Sequence, residues 1–127
     1  MEERILLGNN AQFVKLPFED FVQAQKDLGI REVELTLQAP HFYLDSYGYH
    51  DLTEVKAMLK DAGISVHSVI PLPYRYAICA DEGTIQHEKT IGYYQQAVLL
   101  AAELGAKYLL ITGSGANYDY APERLMD

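Results

Sequence analysis

The apolar and polar positions of the chain repeat one pattern three times: an amphipathic helix, a glycine and then an apolar strand. The three copies cover residues 21–37, 55–70 and 93–112, with the glycines at Gly29, Gly63 and Gly105. A glycine just past a helix can adopt the left-handed conformation that closes the last helical turn. Because each strand then lies beside the previous one with its helix packed over it, the pattern predicts parallel βα units with right-handed crossovers.

Four strands and three complete helices are predicted from this pattern. The strands are expected at residues 4–8, 32–37, 65–70 and 107–112, and the helices from Pro17, after Asp51 and over residues 85–104. Residues 121–125 are typical of the first turn of a fourth helix. Asp51 and Glu54 have the spacing of a capping box at the start of the second helix. The whole chain, residues 1–127, is interpreted as one domain.

Each predicted helix has an apolar face that we expect to be buried against the sheet. These faces contain Phe18, Phe21, Val22 and Leu28 in the first helix, Leu52, Val55, Met58, Leu59 and Ala62 in the second, and Ile91, Tyr94, Val98 and Ala101 in the third.

The second and third strands also carry polar residues. The second alternates apolar residues with Glu34, Thr36 and Gln38, and the third contains His67 and Ser68. A sheet covered by helices on both faces has strands that are almost continuously apolar. The polar positions therefore indicate a sheet face that lines a barrel interior or a binding site.

The loops after the predicted strands contain seven of the ten tyrosines. These are Tyr43, Tyr47 and Tyr49 after the second strand, Tyr74 and Tyr76 after the third, and Tyr118 and Tyr120 after the fourth. Aromatic rings with a polar tip suit a pocket that both packs against a ligand and hydrogen-bonds it. Alternatively, the rings cover the mouth of a barrel or an interface between copies of the chain.

Composition and charge narrow the possible partners. The net charge is −8 and no cluster of lysine and arginine is present, which argues against nucleic acid and anionic membrane surfaces as partners. A single cysteine, Cys79, excludes an internal disulfide. No apolar run approaches the ~18 residues of a membrane span, and the first residues lack the pattern of a signal peptide. We therefore expect a cytoplasmic protein.

Three segments carry a family resemblance through their order and spacing: GIREVELTLQAPHFY, DAGISVHSVIPLPY and HEKTIGYYQQAVLLAAELGAKYLLITGSG. They resemble the second strand, the third strand, and the third helix with the fourth strand of the xylose-isomerase-like TIM-barrel proteins, the sugar-phosphate isomerase/epimerase group. Ketose 3-epimerases of the fructoselysine 3-epimerase type are the most similar. The resemblance covers the first half of a barrel, since a complete barrel needs ~250 residues.

The resemblance implies an α/β half-barrel and a sugar isomerase or epimerase. In this family a divalent metal (Mn²⁺, Mg²⁺ or Co²⁺) holds two oxygens of an open-chain sugar and stabilises an enediolate, while two glutamates move the proton. Those groups come from strands five to eight, so neither a metal ligand nor a catalytic base is assigned in this chain. The resemblance implies that this chain supplies one wall of the substrate-binding site, which we call the substrate wall. The candidate substrate-binding residues are Glu34, His41, His67, Tyr74, Thr112 and Ser114.

Several of these candidates have a second interpretation. Glu34 either binds a sugar hydroxyl or is a structural carboxylate inside the barrel, and His67 is either a ligand-binding residue or a satisfied core histidine. The loop 113–117, which contains Ser114, either cradles a hydroxyl or phosphate through its backbone N–H groups or forms a tight turn.

The sequence also bears on two other functions for the whole chain. A zinc-dependent abasic-site endonuclease of the same superfamily is excluded, because the ends of the third and fourth strands lack histidine ligands. A non-catalytic four-strand module, either an open flavodoxin-like sheet or a half-barrel that pairs with a copy of itself, stays open. We therefore expect either a homo-oligomer or a missing C-terminal half.

Overall fold

The computed structural model describes residues 6–73, 76 and 80–111. Within these residues the strands and helices alternate along the chain. The elements are β1 (Leu7–Asn9), a 3₁₀ helix (Ala11–Phe13), α1 (Phe18–Asp27), β2 (Glu32–Leu37), α2 (Thr53–Asp61), β3 (Ser65–Pro71), α3 (Ile85–Glu103) and β4 (Tyr108–Leu109).

The four strands form one parallel sheet in the order β1-β2-β3-β4. Each strand therefore lies beside the one before it, and the order never reverses as it does in doubly wound sheets. Residues from all three helices join one core cluster with the apolar side chains of β2 and β3. Helices on one face of a sequentially ordered parallel sheet confirm the predicted α/β fold, which is consistent with a partial TIM barrel.

The core lies between this sheet and its helices. The alternate residues Val33, Leu35 and Leu37 of β2 are buried there with Phe21 of α1 and Leu100 of α3. Full burial of such side chains contributes roughly 1.5–3 kcal/mol each, which makes this layer the main source of stability.

Glycines allow the chain to end each helix in the left-handed conformation and allow close packing at β1. The predicted glycines after the helices have φ values of 72°, 69° and 71° at Gly29, Gly63 and Gly105, in the left-handed region. At Gly8 in β1, an added Cβ would lie 1.9 Å from Oε1 of Gln25, a buried residue of α1. The absence of a side chain at Gly8 therefore leaves room for the Gln25 side chain.

The predicted boundaries are correct for β2 and shifted elsewhere. In the described residues β1 is Leu7–Asn9 rather than 4–8, β3 extends to Pro71, and β4 comprises Tyr108–Leu109. Pro71 can end a strand because the residue lacks only the backbone donor. The predicted fourth helix and the loop 113–117 lie outside the described residues.

The buried face of α2 is as predicted, whereas those of α1 and α3 differ. Leu28, expected in the stripe of α1, is 72% exposed, and Gln25 is buried instead. In α3, Ile91 and Val98 are exposed. The buried residues of α3 are Thr90, Tyr93, Ala97, Leu100 and Ala101. Because α3 is apolar around most of its circumference, a helical period fits more than one face and does not decide which one packs.

The predicted capping box at α2 is not formed. The Asp51 carboxylate accepts hydrogen bonds from the backbone N–H of Thr53 at 2.8 Å and from the Thr53 hydroxyl. No side chain caps the helix at Leu52, its N-terminal boundary residue. The two bonds from Thr53 hold the pKa of Asp51 below its usual value. Asp51 thus closes a short turn before the helix.

Candidate functional site

The face of the sheet opposite the helices carries a row of polar residues. The strand register places Asn9, Glu34, Ser68 and Tyr108 side by side across the four strands. Paired residues of neighbouring parallel strands project to the same face. We call these four residues, together with His67, the polar row.

A β-bulge creates the centre of the polar row. Val33 pairs with Val66, but the next residue, Glu34, pairs with Ser68, so His67 is an extra residue in β3. The bulge changes the alternation of β3, and Val66 and Val69 both enter the core on the helix side. It thereby brings Ser68 next to Glu34 and leaves His67 beside the pair.

Three residues of the polar row form a chain of hydrogen bonds. The Ser68 hydroxyl donates to Oε2 of Glu34 at 2.7 Å, and Nδ1 of His67 lies 3.1 Å from Oγ of Ser68. Because the Ser68 proton is directed to the carboxylate, this network assigns the N–H to Nδ1 of His67. The His67 ring also packs against the Tyr108 ring, with centroids 5.1 Å apart.

The three hydrogen-bonded residues differ in their exposure to solvent. Ser68 is only 1% exposed, whereas Glu34 and His67 are half-buried and accessible from the uncovered face. A fixed carboxylate with accessible surface accepts hydrogen bonds strongly. The polar row can therefore bind and orient a hydroxylated ligand.

His41 lies in a separate buried network next to the first strand. Asn10, fully buried, donates from Nδ2 to Nδ1 of His41 at 3.1 Å and to the Thr36 carbonyl at 3.1 Å, and its Oδ1 accepts from the Thr36 N–H at 2.7 Å. Nε2 of His41 donates to the Leu16 carbonyl at 2.8 Å. Both nitrogens of His41 are thus used within the protein, where they join the loops that follow β1 and β2.

A cavity of about 810 Å³ opens beyond the carboxyl ends of β2 and β3. Its volume is within the range of small-molecule sites, and this end of a parallel sheet is where such sites occur. We call it the tyrosine cavity, because its described lining includes Tyr43, Tyr47, Tyr49, Tyr76 and Tyr93. Three of these five residues follow β2 and one follows β3, as the sequence predicted for the tyrosine-rich loops.

The wall of the tyrosine cavity includes a stacked pair of rings. The centroids of Tyr76 and Tyr93 are 4.7 Å apart with an angle of 29° between the planes. The Tyr93 hydroxyl oxygen accepts from the Leu72 N–H at 2.9 Å, and that of Tyr76 accepts from the Ser46 N–H at 3.0 Å. Burial raises the pKa of Tyr93 to about 12. Tyr93 therefore keeps its proton at neutral pH and can still donate it.

The structure describes three of the six predicted substrate-wall residues. It brings Glu34 and His67 together through Ser68, and it places His41 in the separate network with Asn10. Tyr74, Thr112 and Ser114 lie outside the described residues. The site selection from the sequence missed Ser68, Asn10 and Tyr93. The adjacent polar pair His67-Ser68 inside an apolar strand was a usable signal for the first of these.

The described residues contain neither a metal-binding group nor a membrane-spanning helix. Across 6–73, 76 and 80–111, no group of three or more histidine, cysteine, aspartate or glutamate side chains is arranged to hold a metal ion. In the same part of the chain, none of the helices has the length and apolar character needed to cross a bilayer.

The chain matches the model of a known protein family. The model of the family described as xylose isomerase-like TIM barrel matches residues 22–127. The matched region includes β2, α2, β3, α3 and β4, and with them the polar row except Asn9. No curated protein matches the chain.

Proposed function

The chain belongs to the xylose isomerase-like TIM-barrel family, and on this basis we propose that it provides the substrate wall of a sugar isomerase or epimerase. The reaction is a proton transfer next to a carbonyl through an enediolate, of the ketose 3-epimerase type. Sugar hydroxyls are the groups that this wall binds.

The polar row is the observation that carries the proposal. Its carboxylate and imidazole stand on the sheet face that none of the described helices covers, and Ser68 fixes the position of Glu34. Oε1 of Glu34 and Nε2 of His67 are the acceptors this arrangement offers to sugar hydroxyls, because Oε2 and Nδ1 are engaged with Ser68. Precise placement of hydroxyls orients the carbon that loses its proton.

The remaining predicted residues have different parts in this proposal. His41 acts as a positioning residue, since both ring nitrogens bind other parts of the protein. Tyr74, Thr112 and Ser114 are proposed to complete the wall after β3 and β4.

The described residues do not fit a divalent metal centre. They supply no group of three potential ligands, so Mn²⁺, Mg²⁺ or Co²⁺ is assigned no ligand in this part of the chain. In this proposal the described residues bind and orient the substrate.

Exchange of carbon-bound hydrogen with solvent tests the function. The protein as produced from its own gene, supplied with Mn²⁺, Mg²⁺ or Co²⁺, is incubated with ketohexoses in D₂O, and deuterium at carbons next to the carbonyl is measured by NMR. We expect incorporation above the uncatalysed rate. Glu34→Gln should lower kcat/KM at least tenfold, because the neutral amide binds hydroxyls less strongly than a carboxylate.

Glu32→Gln is the matched control for this substitution. Glu32 lies two residues earlier on β2 and pairs with Lys107 at 3.6 Å, outside the polar row. The control should keep the activity of the unmodified protein. Lack of exchange with every ketohexose, or equal activities of the two variants, would contradict the proposal.

A second candidate function is self-association without catalysis. It is favoured by exposed apolar residues at both outer strands: Leu6 and Leu7 at β1, and Tyr108, Leu110 and Ile111 at β4. Unpaired edges of this kind can associate with other strands. Light scattering over a hundredfold range of protein concentration tests this, and a monomer at all concentrations would exclude it.

A further inference from the structure

His67, the extra residue of the bulge in β3, is held in position by three contacts. Its backbone carbonyl accepts from the Lys107 N–H at 2.9 Å, which ties the bulge to the chain entering β4. Its ring packs against the Tyr108 ring, with centroids 5.1 Å apart, and its Nδ1 lies 3.1 Å from Oγ of Ser68. Bulges are frequent beside active sites, where they re-aim a side chain. The His67 imidazole is therefore a fixed group on the face that the described helices leave uncovered.

The hydroxyl of Ser68 decides which nitrogen of His67 carries the proton. An ionised carboxylate only accepts hydrogen bonds, so the contact of 2.7 Å with Oε2 of Glu34 uses the single proton of Ser68. Oγ then presents a lone pair to Nδ1 of His67, and Nδ1 supplies the proton of that contact. Since Ser68 is only 1% exposed, water does not compete for these two bonds. Nε2 of the neutral ring is left with its lone pair and can accept a proton.

The three groups are arranged so that a proton accepted at Nε2 of His67 is matched by a proton delivered to Glu34. When Nε2 takes a proton from a hydroxyl, Nδ1 releases its own proton to Oγ of Ser68, and Ser68 releases its proton to Oε2 of Glu34. One bond to hydrogen forms for each that breaks. His67 ends as the neutral Nε2–H tautomer, Glu34 as a neutral carboxyl group and the hydroxyl oxygen as an alkoxide. The negative charge of Glu34 has thereby moved to the alkoxide, and the reverse sequence returns it.

We propose that Ser68 is a positioning residue that holds His67 in the Nδ1–H tautomer and couples it to Glu34, so that the three residues form a proton relay for a hydroxyl of the bound sugar. The relay rests on the proposed function, because an enediolate carries its charge and its remaining proton on two neighbouring oxygens. A group that takes up and returns a hydroxyl proton lets the charge shift between those oxygens. Proton transfer is thereby added to the binding and orientation that the proposed function assigns to these residues.

The tautomer of His67 is the first readout, and it needs no substrate. Protein with ¹⁵N-labelled histidine, produced from its own gene, is studied at about pH 8, where free imidazole is neutral. A long-range ¹H–¹⁵N correlation spectrum shows which ring nitrogen is protonated, and loss of signals in His67→Gln identifies those of His67. We expect Nδ1–H for His67 and, in the same spectrum, Nε2–H for His41, because Asn10 donates to Nδ1 of His41. An Nε2–H tautomer of His67 in the unmodified protein would overturn the inference.

Substitutions at the other two positions of the relay test the coupling. Ser68→Ala removes the acceptor from Nδ1 of His67, whereas Glu34→Ala frees the Ser68 proton to turn towards Nδ1. Both variants should therefore shift His67 to the Nε2–H tautomer, which predominates in free histidine. Unaltered His41 signals show that each variant is folded. An unchanged His67 tautomer in either folded variant would overturn the relay.

Ser65→Ala is the matched control for the serine substitution. Ser65 is an exposed residue at the start of the same strand, and its hydroxyl contacts the Arg31 carbonyl at 3.5 Å. Its removal should leave the tautomer of His67 unchanged. A shift of the tautomer in Ser65→Ala equal to that in Ser68→Ala would show a general effect on β3 and would contradict the relay.

The kinetic parameters separate failure of the relay from failure of the proposed function. In the deuterium assay Ser68→Ala should lower kcat by about tenfold to a hundredfold, through loss of proton transfer. KM should change by less than about threefold, because Glu34 and His67 are both still present. Deuterium incorporation with an unchanged kcat in Ser68→Ala would overturn the relay and keep the isomerase or epimerase. The expected tautomers without incorporation by the unmodified protein would contradict the proposed function, and with it the catalytic part of the relay.

Discussion

The two faces of the sheet use the same strands for opposite purposes. The face under the helices carries Val33, Leu35 and Leu37, which are almost completely buried in a continuous apolar core. The uncovered face carries Glu34 and Ser68, joined by a hydrogen bond of 2.7 Å. Period-two alternation along β2 thus separates the apolar core on one face from the hydrogen-bonded polar residues on the other.

The comparison shows that burial alone does not identify the stabilising face. Ser68 and Thr36 are as buried as core residues, although no helix in the described part of the chain covers their side of the sheet. Their hydroxyls are satisfied by Glu34 and Asn9, at 2.7 Å and 3.3 Å. Polar groups that are paired in this way cost little to bury and contribute little net stability.

The largest expected loss in the free energy of unfolding distinguishes the two faces of the sheet. Leu35→Ala removes a fully buried side chain from the core and should lower the free energy of unfolding by about 2–5 kcal/mol. Ser68→Ala, on the opposite face of the neighbouring strand, should lower it by about 1–2 kcal/mol, because the accessible Glu34 carboxylate can be solvated instead. Urea denaturation of the two variants and the unmodified protein measures the difference. A Ser68→Ala loss as large as that of Leu35→Ala would contradict the division between the faces.

A second substitution tests Asn10, whose side chain makes the hydrogen bonds that a neighbouring strand residue would make with the Thr36 backbone. Asn10 gives Thr36 both a donor and an acceptor, as a further residue of β1 would, and it also binds His41. Asn10→Ala leaves these buried groups without partners and should cost about 2–3 kcal/mol in urea denaturation. Asn9→Ala is the control and should cost less, because the half-buried Asn9 accepts from the Ala11 N–H and the Thr36 hydroxyl but gives the Thr36 backbone no partner. If both variants lost the same stability, Asn10 would have no such special part.

Alkaline pH tests the burial of Tyr93, which lies in α3 on the helix side of the sheet. Burial raises the pKa of Tyr93 to about 12, above the ordinary value of about 10 that applies in the unfolded chain. The unfolded chain therefore releases this proton first, and the free energy of unfolding should fall as pH rises from 10 to 12. Thermal denaturation in this range should show a steeper loss for the unmodified protein than for Tyr93→Phe. The exposed Tyr47→Phe should keep the slope of the unmodified protein, and an equal slope for all three would contradict the assignment.

Local sequence signals were sufficient to predict an element where its pattern of apolar residues fitted only one kind of secondary structure. The boundaries of β2 were predicted correctly because strict alternation ends at Arg31 on one side and in the loop from Gln38 on the other. The glycines after each helix have the predicted left-handed conformation. These signals depend on neighbouring residues alone, and they fixed the element order from which the parallel sheet follows.

Signals that depend on tertiary partners could not be read from the sequence in the same way. The bulge at His67 is defined only by the pairing of β3 with β2, and it decides that Ser68 meets Glu34. The partner of Asn10 lies 26 residues away, at Thr36. His41 was predicted in the substrate wall because it follows β2, but its position in sequence could not show that Asn10 occupies Nδ1.

The smallest expected effect concerns the apolar face of α3 that was predicted to be buried. Val98 is 54% exposed in the structure, and its neighbour on the core side, Ala97, is fully buried. Val98→Ser should therefore change the free energy of unfolding by no more than about 0.5 kcal/mol, as surface substitutions usually do. Leu100→Ala, two residues along the same helix and fully buried, should cost about 2–5 kcal/mol. If Val98→Ser instead cost more than about 1.5 kcal/mol, the periodicity would have identified a face that is covered in solution, and light scattering of the same samples would show whether a second copy covers it.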